Sequence, residues 1–137
     1  MTVTEPAQMN EAFAQAFNSR NIDNLLALYE MDAVLRVDGS ERSLIGQDAI
    51  AGELRRLLQA PGTMTSSNNF CIQHGDVALL RADWELRAQD GSIVASGSSA
   101  ELVRRQSDGT WRYVIDHAAG ASLPRVIQVE GLSWELR

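Results

Sequence analysis

The chain of 137 residues has no lysine, a single cysteine (Cys71), three prolines and few aromatic side chains. A lone cysteine excludes an internal disulfide framework and any zinc site built on several cysteines. No apolar run approaches the 18 or more residues that a membrane-spanning helix needs. The N-terminal stretch MTVTEPAQMN lacks both a basic region and an apolar core, which argues against classical secretion and for a cytoplasmic protein. Positive charge is also scarce: 12 arginines face 18 acids, for a net charge of -6. That balance removes the basic patch that a nucleic acid or an anionic membrane would require, so neither is an expected partner. There is no glycine-rich phosphate loop and no serine in a nucleophile-elbow context. His74 and His117 have no partner at metal-ligand spacing. Neither a metal nor a cofactor is therefore expected.

What remains is one domain's worth of chain, 45% hydrophobic, able to bury a core without a metal or disulfide staple. Three helices are predicted first. Thr4 can cap one that starts at Glu5 and Pro6 and carries Met9, Phe13 and Phe17, with Ala12 and Ala16 beside them. Asn21 can cap a short second helix with Ile22, Leu25, Leu28 and Tyr29 as its stripe. A brief strand over 33–37 ends at Asp38-Gly39. The third helix opens at Gly46, carries Ile50, Leu54, Leu57 and Leu58, and stops at Pro61-Gly62. From Thr63 onward the pattern is that of strands, over residues 64–73, 77–88, 93–106 and 110–118. Asp90-Gly91 and Asp108-Gly109 mark two hairpin turns. Helices first and an antiparallel sheet after is an α+β layout. Residues 1–121 read as a single domain, and 122–137 as a C-terminal tail with a strand-like stretch at 126–129 and an exposed Trp134.

Two-residue loops at both Asp-Gly pairs would place Trp84 opposite Gly97 and Glu101 opposite Asp116. Alternation along a strand then divides the side chains between two faces. One face holds Leu80, Trp84, Ser99, Glu101, Val103, Val114 and Asp116, and should meet the helices. The other gathers Val77, Leu79, Leu102, Trp111, Tyr113 and Ile115. Such a cluster is rarely left bare on a monomer, so either a second subunit or the C-terminal tail should cover it.

Directly opposed residues on neighbouring strands have Cβ atoms about 4.5–5.5 Å apart. Two carboxyls so placed, beside Leu80, Val103 and Val114, would each resist ionisation, and one would stay protonated near neutral pH. A base and a hydrogen-bond-donating acid side by side suit proton transfer next to a carbonyl. The competing reading is that arginines neutralise both. His117 follows Asp116 and so points to the opposite face. Cys71 has no activating neighbour and reads as an inert buried thiol.

The order of a short helix, Leu28-Tyr29-Glu30-Met31-Asp32-Ala33, a strand, Ile45-Gly46-Gln47-Asp48-Ala49-Ile50 and the hairpin Asp108-Gly109-Thr110-Trp111-Arg112 resembles the NTF2-like superfamily, in its SnoaL-like and ketosteroid-isomerase-like branch. The resemblance spans roughly residues 5–121. It implies a cone in which three N-terminal helices pack on the concave face of a bent, mainly antiparallel sheet, with a pocket inside and dimers formed through the convex side. By position, Glu101 falls where the isomerases keep a protonated acid. Asp116 lies where SnoaL-like cyclases place a catalytic aspartate, and Tyr29 resembles a supporting tyrosine. Phe13 and Val37 stand where the isomerases have their oxyanion tyrosine and general base, which speaks against steroid isomerisation. The expected function is a cofactor-free acid–base reaction of cyclase, isomerase or dehydratase type on a small, largely apolar carbonyl compound. Asp116, Glu101 and Tyr29 would be catalytic, and Trp84, Phe13, Val37, Ser99, Leu80 and Val114 would line the pocket. A homodimer would form through Leu79, Leu102, Trp111, Tyr113 and Ile115. The alternative is a non-catalytic ligand-binding or assembly module.

Overall fold

Residues 2–37 and 41–122 are described by a computed structural model. The proline at position 6 sets a 3-10 turn, Pro6–Gln8, that leads into α1, Met9–Asn18. Glu5 rather than Thr4 precedes that turn, without a side-chain cap. α2, Ile22–Leu26, starts as expected: the Asn21 side chain accepts from the Asp23 N–H at 3.0 Å. It is shorter than its apolar stripe, because Tyr29 already opens β1, Tyr29–Arg36. A two-residue strand, β2 (Leu44–Ile45), pairs back on β1 and was not foreseen. Gly46 takes φ +87° at the mouth of α3, Gln47–Leu57, a backbone conformation that suits glycine. Asp48 in the first turn of α3 and Arg55 and Arg56 in its last complement the helix dipole.

Four long strands follow: β3 (Thr63–His74), β4 (Val77–Arg87), β5 (Ile93–Arg105) and β6 (Trp111–His117). The sheet order is β2-β1-β6-β5-β4-β3, and the pairing is antiparallel except between β1 and β6, which run parallel. This is the expected α+β cone, with helices on one side of a curved mixed sheet. The helices bury Met9, Phe17, Leu25, Ile50 and Leu54 against Leu80, Leu86, Val103, Trp111 and Tyr113 of the sheet. The Asp38-Gly39 turn and the strand-like tail with Trp134 lie outside the described residues.

Both hairpins depart from the expected two-residue loops in the same way. The Ala88 N–H bonds Ser92 O at 2.8 Å, and the Gln106 N–H bonds Thr110 O at 2.6 Å. Each loop therefore holds three residues, with Gly91 and Gly109 at φ +88° and +85°. A bulge then follows in each case. Arg87 pairs Ile93 but Leu86 pairs Ala95, and Arg104 pairs Arg112 but Leu102 pairs Ile115. The extra loop residue and the bulge cancel, so Trp84 still meets Gly97 and Glu101 still meets Asp116. Between loop and bulge, however, side chains change face. Trp111 and Tyr113 accordingly turn into the core, 3% and 1% exposed, instead of standing on the convex surface.

Candidate functional site

The helices and the concave face enclose a cavity of about 140 Å³. α1 contributes Asn10 and Phe13 to its wall, α3 contributes Glu53, Leu54 and Leu57, and the sheet, with Val37 and Ala118 just past the ends of β1 and β6, supplies the rest. Of the residues expected to line it, Tyr29, Val37, Trp84, Ser99, Glu101 and Asp116 do so, together with Phe13. Leu80 and Val114 are not among its lining residues. Leu80 is fully buried in the core, and Val114 is the extra residue of the β6 bulge. Trp84 closes one side. Its indole N–H donates to Ala118 O at 2.8 Å, and a Cβ at Gly97 would come within 2.8 Å of its ring. The bare glycine is what lets the indole lie flat on β5.

Glu101 and Asp116 are 3% and 7% exposed, and the side chains that hydrogen-bond them are uncharged. Asn10 Nδ2 donates to Glu101 Oε1 at 2.9 Å, and the Ser99 hydroxyl also reaches that carboxyl. The Tyr29 hydroxyl donates to Asp116 Oδ2 at 2.5 Å. Neutralisation by arginine is thus not how this chain solves the problem of two neighbouring acids. Burial first, and then the Asp116 charge, push Glu101 up to about 8. Burial pushes Asp116 up to about 6, against the opposing hydrogen bond from Tyr29. Between those values the pair shares one proton and one charge, and the stronger upward push on Glu101 favours the proton there. The Tyr29 and Tyr113 hydroxyls are held far above their ordinary range by burial and by the Asp116 charge, so both act as hydrogen-bonding groups and not as bases.

Three polar residues of the site escaped the sequence reading. Asn10 is buried in α1, where its Oδ1 accepts from the Tyr113 hydroxyl at 2.7 Å and its Nδ2 also reaches Asn68 Oδ1 at 3.1 Å. Its spacing carried a hint: Asn10, Phe13, Ala14 and Phe17 recur at helical intervals, so a polar residue stands on the inward stripe. Tyr113 was placed on the wrong face by the unforeseen bulge. Glu53 likewise sits three residues after Ile50 and four before Leu57, and Arg56 holds its carboxylate. Among the described residues, no group of three His, Cys, Asp or Glu side chains could hold a metal ion, and no helix is long and apolar enough to cross a membrane.

This cavity, roofed by helices over a bent sheet, sits within the segment that a family model recognises. The model for the SnoaL-like domain matches residues 10–118. The chain belongs to that family. Solved structures, some of them named NTF2-like, share its fold. A ketosteroid isomerase-like protein of Erwinia carotovora atroseptica is 24% identical, with a TM-score of 0.67 over 82% of this chain and 94% of that one. A protein of Thiobacillus denitrificans, provisionally named a calcium/calmodulin-dependent protein kinase type II association domain, is 22% identical, with a TM-score of 0.73 over 87% and 97%. A provisionally named dehydratase of the NTF2-like family from Streptomyces avermitilis is 17% identical, with a TM-score of 0.66 over 81% and 89%. Comparison with curated proteins returns no match.

Proposed function

We propose that this SnoaL-like protein binds a small, largely apolar, uncharged carbonyl compound and moves a proton on it without a cofactor. The observation that carries the reading is the facing pair Glu101 and Asp116, both raised by burial in the cavity wall and set apart by the Asp116 charge beside Glu101 and the Tyr29 hydrogen bond to Asp116. The Asp116 carboxylate takes a proton from the carbon next to the carbonyl. Glu101, protonated, hydrogen-bonds the carbonyl oxygen as negative charge builds there. The proton on Asp116 then returns at another carbon, which is isomerisation, or passes to a hydroxyl β to the carbonyl, which leaves as water, which is dehydration. Tyr29 steadies Asp116, and Trp84 and Phe13 wall the ligand. Relatives named for isomerase-like and dehydratase proteins share this fold and support the reaction class.

The test is deuterium incorporation from D2O into a panel of small cyclic ketones and enones, followed by proton NMR. The parent should accelerate exchange next to the carbonyl, and Asp116→Asn should abolish it while probe-induced shifts in the protein spectrum persist. Binding without exchange in the parent would leave a ligand-binding module.

One observation favours that second reading, in which the domain serves assembly. On the convex face Ile72 pairs with Leu79, Leu79 with Leu102, and Leu102 with Ile115, an apolar row across four strands. Ile72, Leu79 and Ile115 are 59%, 47% and 44% exposed. A second copy of the chain seated on this row would form a homodimer, and Trp111 and Tyr113 take no part in it.

A further inference from the structure

We propose that Asn10 is a positioning residue that keeps Oε1 of Glu101 a hydrogen-bond acceptor and so leaves the acid's proton on Oε2, its own orientation being imposed through Asn68 by the backbone carbonyl of Ala7. The inference rests on the proton-donor role given to Glu101 above. It begins at a group whose polarity is not negotiable, since a carbonyl oxygen can only accept. Asn68 Nδ2 donates to Ala7 O at 2.6 Å. That bond orients the Asn68 amide, so its Oδ1 must be the atom turned toward Asn10 at 3.1 Å. An oxygen there demands a donor, which makes the near atom of Asn10 its Nδ2. The second proton of the same Nδ2 is directed at Glu101 Oε1, 2.9 Å away. The remaining Asn10 oxygen accepts from the Tyr113 hydroxyl at 2.7 Å, which completes every bond the amide can use in this pocket.

The reversed amide shows what this arrangement prevents. A flipped Asn10 would set its oxygen against Asn68 Oδ1 and offer that oxygen to Glu101. The carboxylic proton would then sit on Oε1, spent on Asn10 and withheld from the cavity. Tyr113 could tolerate the flip, because its hydroxyl also lies 3.3 Å from Met9 O and can donate there while accepting from Asn10. Only the Asn68–Ala7 link forbids it. Ser99 does not decide the matter either, since its hydroxyl can rotate between Ala82 O at 3.3 Å and Glu101. The other ionisable groups facing Glu101 are Asp116 and Tyr113 on β6 and Tyr29 on β1, and Glu53 on α3 lines the same cavity.

The experiment is a carboxyl-carbon NMR pH titration of Glu101 in the ligand-free protein, in the parent, Asn68→Ala and Asn10→Leu. Asn68 is exposed and hydrogen-bonds Asn10 and Ala7 O, so its truncation tests the relay without threatening the fold. Both variants should raise the Glu101 midpoint by about one pH unit or more. Asn10→Leu removes a donor to the carboxylate, and Asn68→Ala lets Asn10 turn and stabilise the protonated form. A purely structural role for Asn68 would lower stability and leave that midpoint unmoved. Unchanged midpoints in both variants overturn the proposal, and a rise in Asn10→Leu alone overturns the relay through Asn68. Because no substrate is involved, failure of ketone exchange would count against the proton-transfer function and leave this result readable.

Discussion

Replacing Glu101 by glutamine should make the protein progressively more stable than the parent as pH rises. The sign follows from proton counting. Glu101 ionises at about 8 in the folded chain against 4.5 for an ordinary glutamate, so over that interval the folded state binds more protons than the unfolded one. Parent stability is therefore highest below the unfolded value and falls as pH climbs toward the folded one. Each pH unit of displacement corresponds to about 1.4 kcal/mol, so the parent should lose about 3–4 kcal/mol to this residue between about pH 5 and pH 8. Asp116, raised to about 6 from 3.8, adds a smaller loss of the same sign that ends lower. Glutamine imitates the protonated acid: its oxygen still accepts from Asn10, and its amide can donate to Asp116. The variant escapes the Glu101 part of the loss. Urea unfolding at a series of pH values, parent against Glu101→Gln, measures the difference directly. Taking the difference cancels the two histidines and the other acids, including half-buried Glu30 and exposed Asp83, Asp90 and Asp108, whose ionisation is pulled down. A stability difference that stays flat across this range, or that favours the parent as pH rises, would refute a protonated, desolvated Glu101.

Four further outcomes are expected. Tyr29→Phe removes the hydroxyl that donates to Asp116 and should raise that carboxyl's midpoint above about 6, read by the same carboxyl-carbon NMR. Gly97→Ala drives a methyl into the Trp84 ring, so indole fluorescence should shift and stability should fall by about 1–3 kcal/mol. Arg20, held at φ +59°, donates to Leu58 O and Ala60 O at 2.8 and 2.6 Å and closes the end of α3. Arg20→Met should therefore cost about 1–2 kcal/mol in urea unfolding, with Glu101 titrating as before. Leu79→Glu sets a charge in the convex apolar row and should convert a dimer to a monomer in sedimentation equilibrium. A parent that is already monomeric would remove the dimer reading.

The sequence determined by itself the features that neighbours along the chain decide. Asn21 and Gly46 mark helix starts that the structure keeps, and the four long strands lie within a residue or two of their expected limits. Even the Glu101–Asp116 pairing was legible, because a hairpin transmits register outward from its turn. It survived two errors of one residue that cancel: Gly109 builds a three-residue loop, and the bulge at Val114 takes the residue back. Tyr113 and Trp111 lie between those two irregularities, and there a shift of one position moves a side chain from convex surface to core.

Tertiary structure alone decided the rest. The parallel seam between β1 and β6 joins segments more than seventy residues apart, and with it Tyr29 reaches Asp116. Asn10, Asn68 and Glu101 come from a helix and two strands, each with an unremarkable local pattern, and meet only once the helices settle into the sheet. Local propensity can say that a buried asparagine on an apolar stripe must find partners. Which partners it finds, and therefore which oxygen of Glu101 carries the proton, is set by packing across the whole cone.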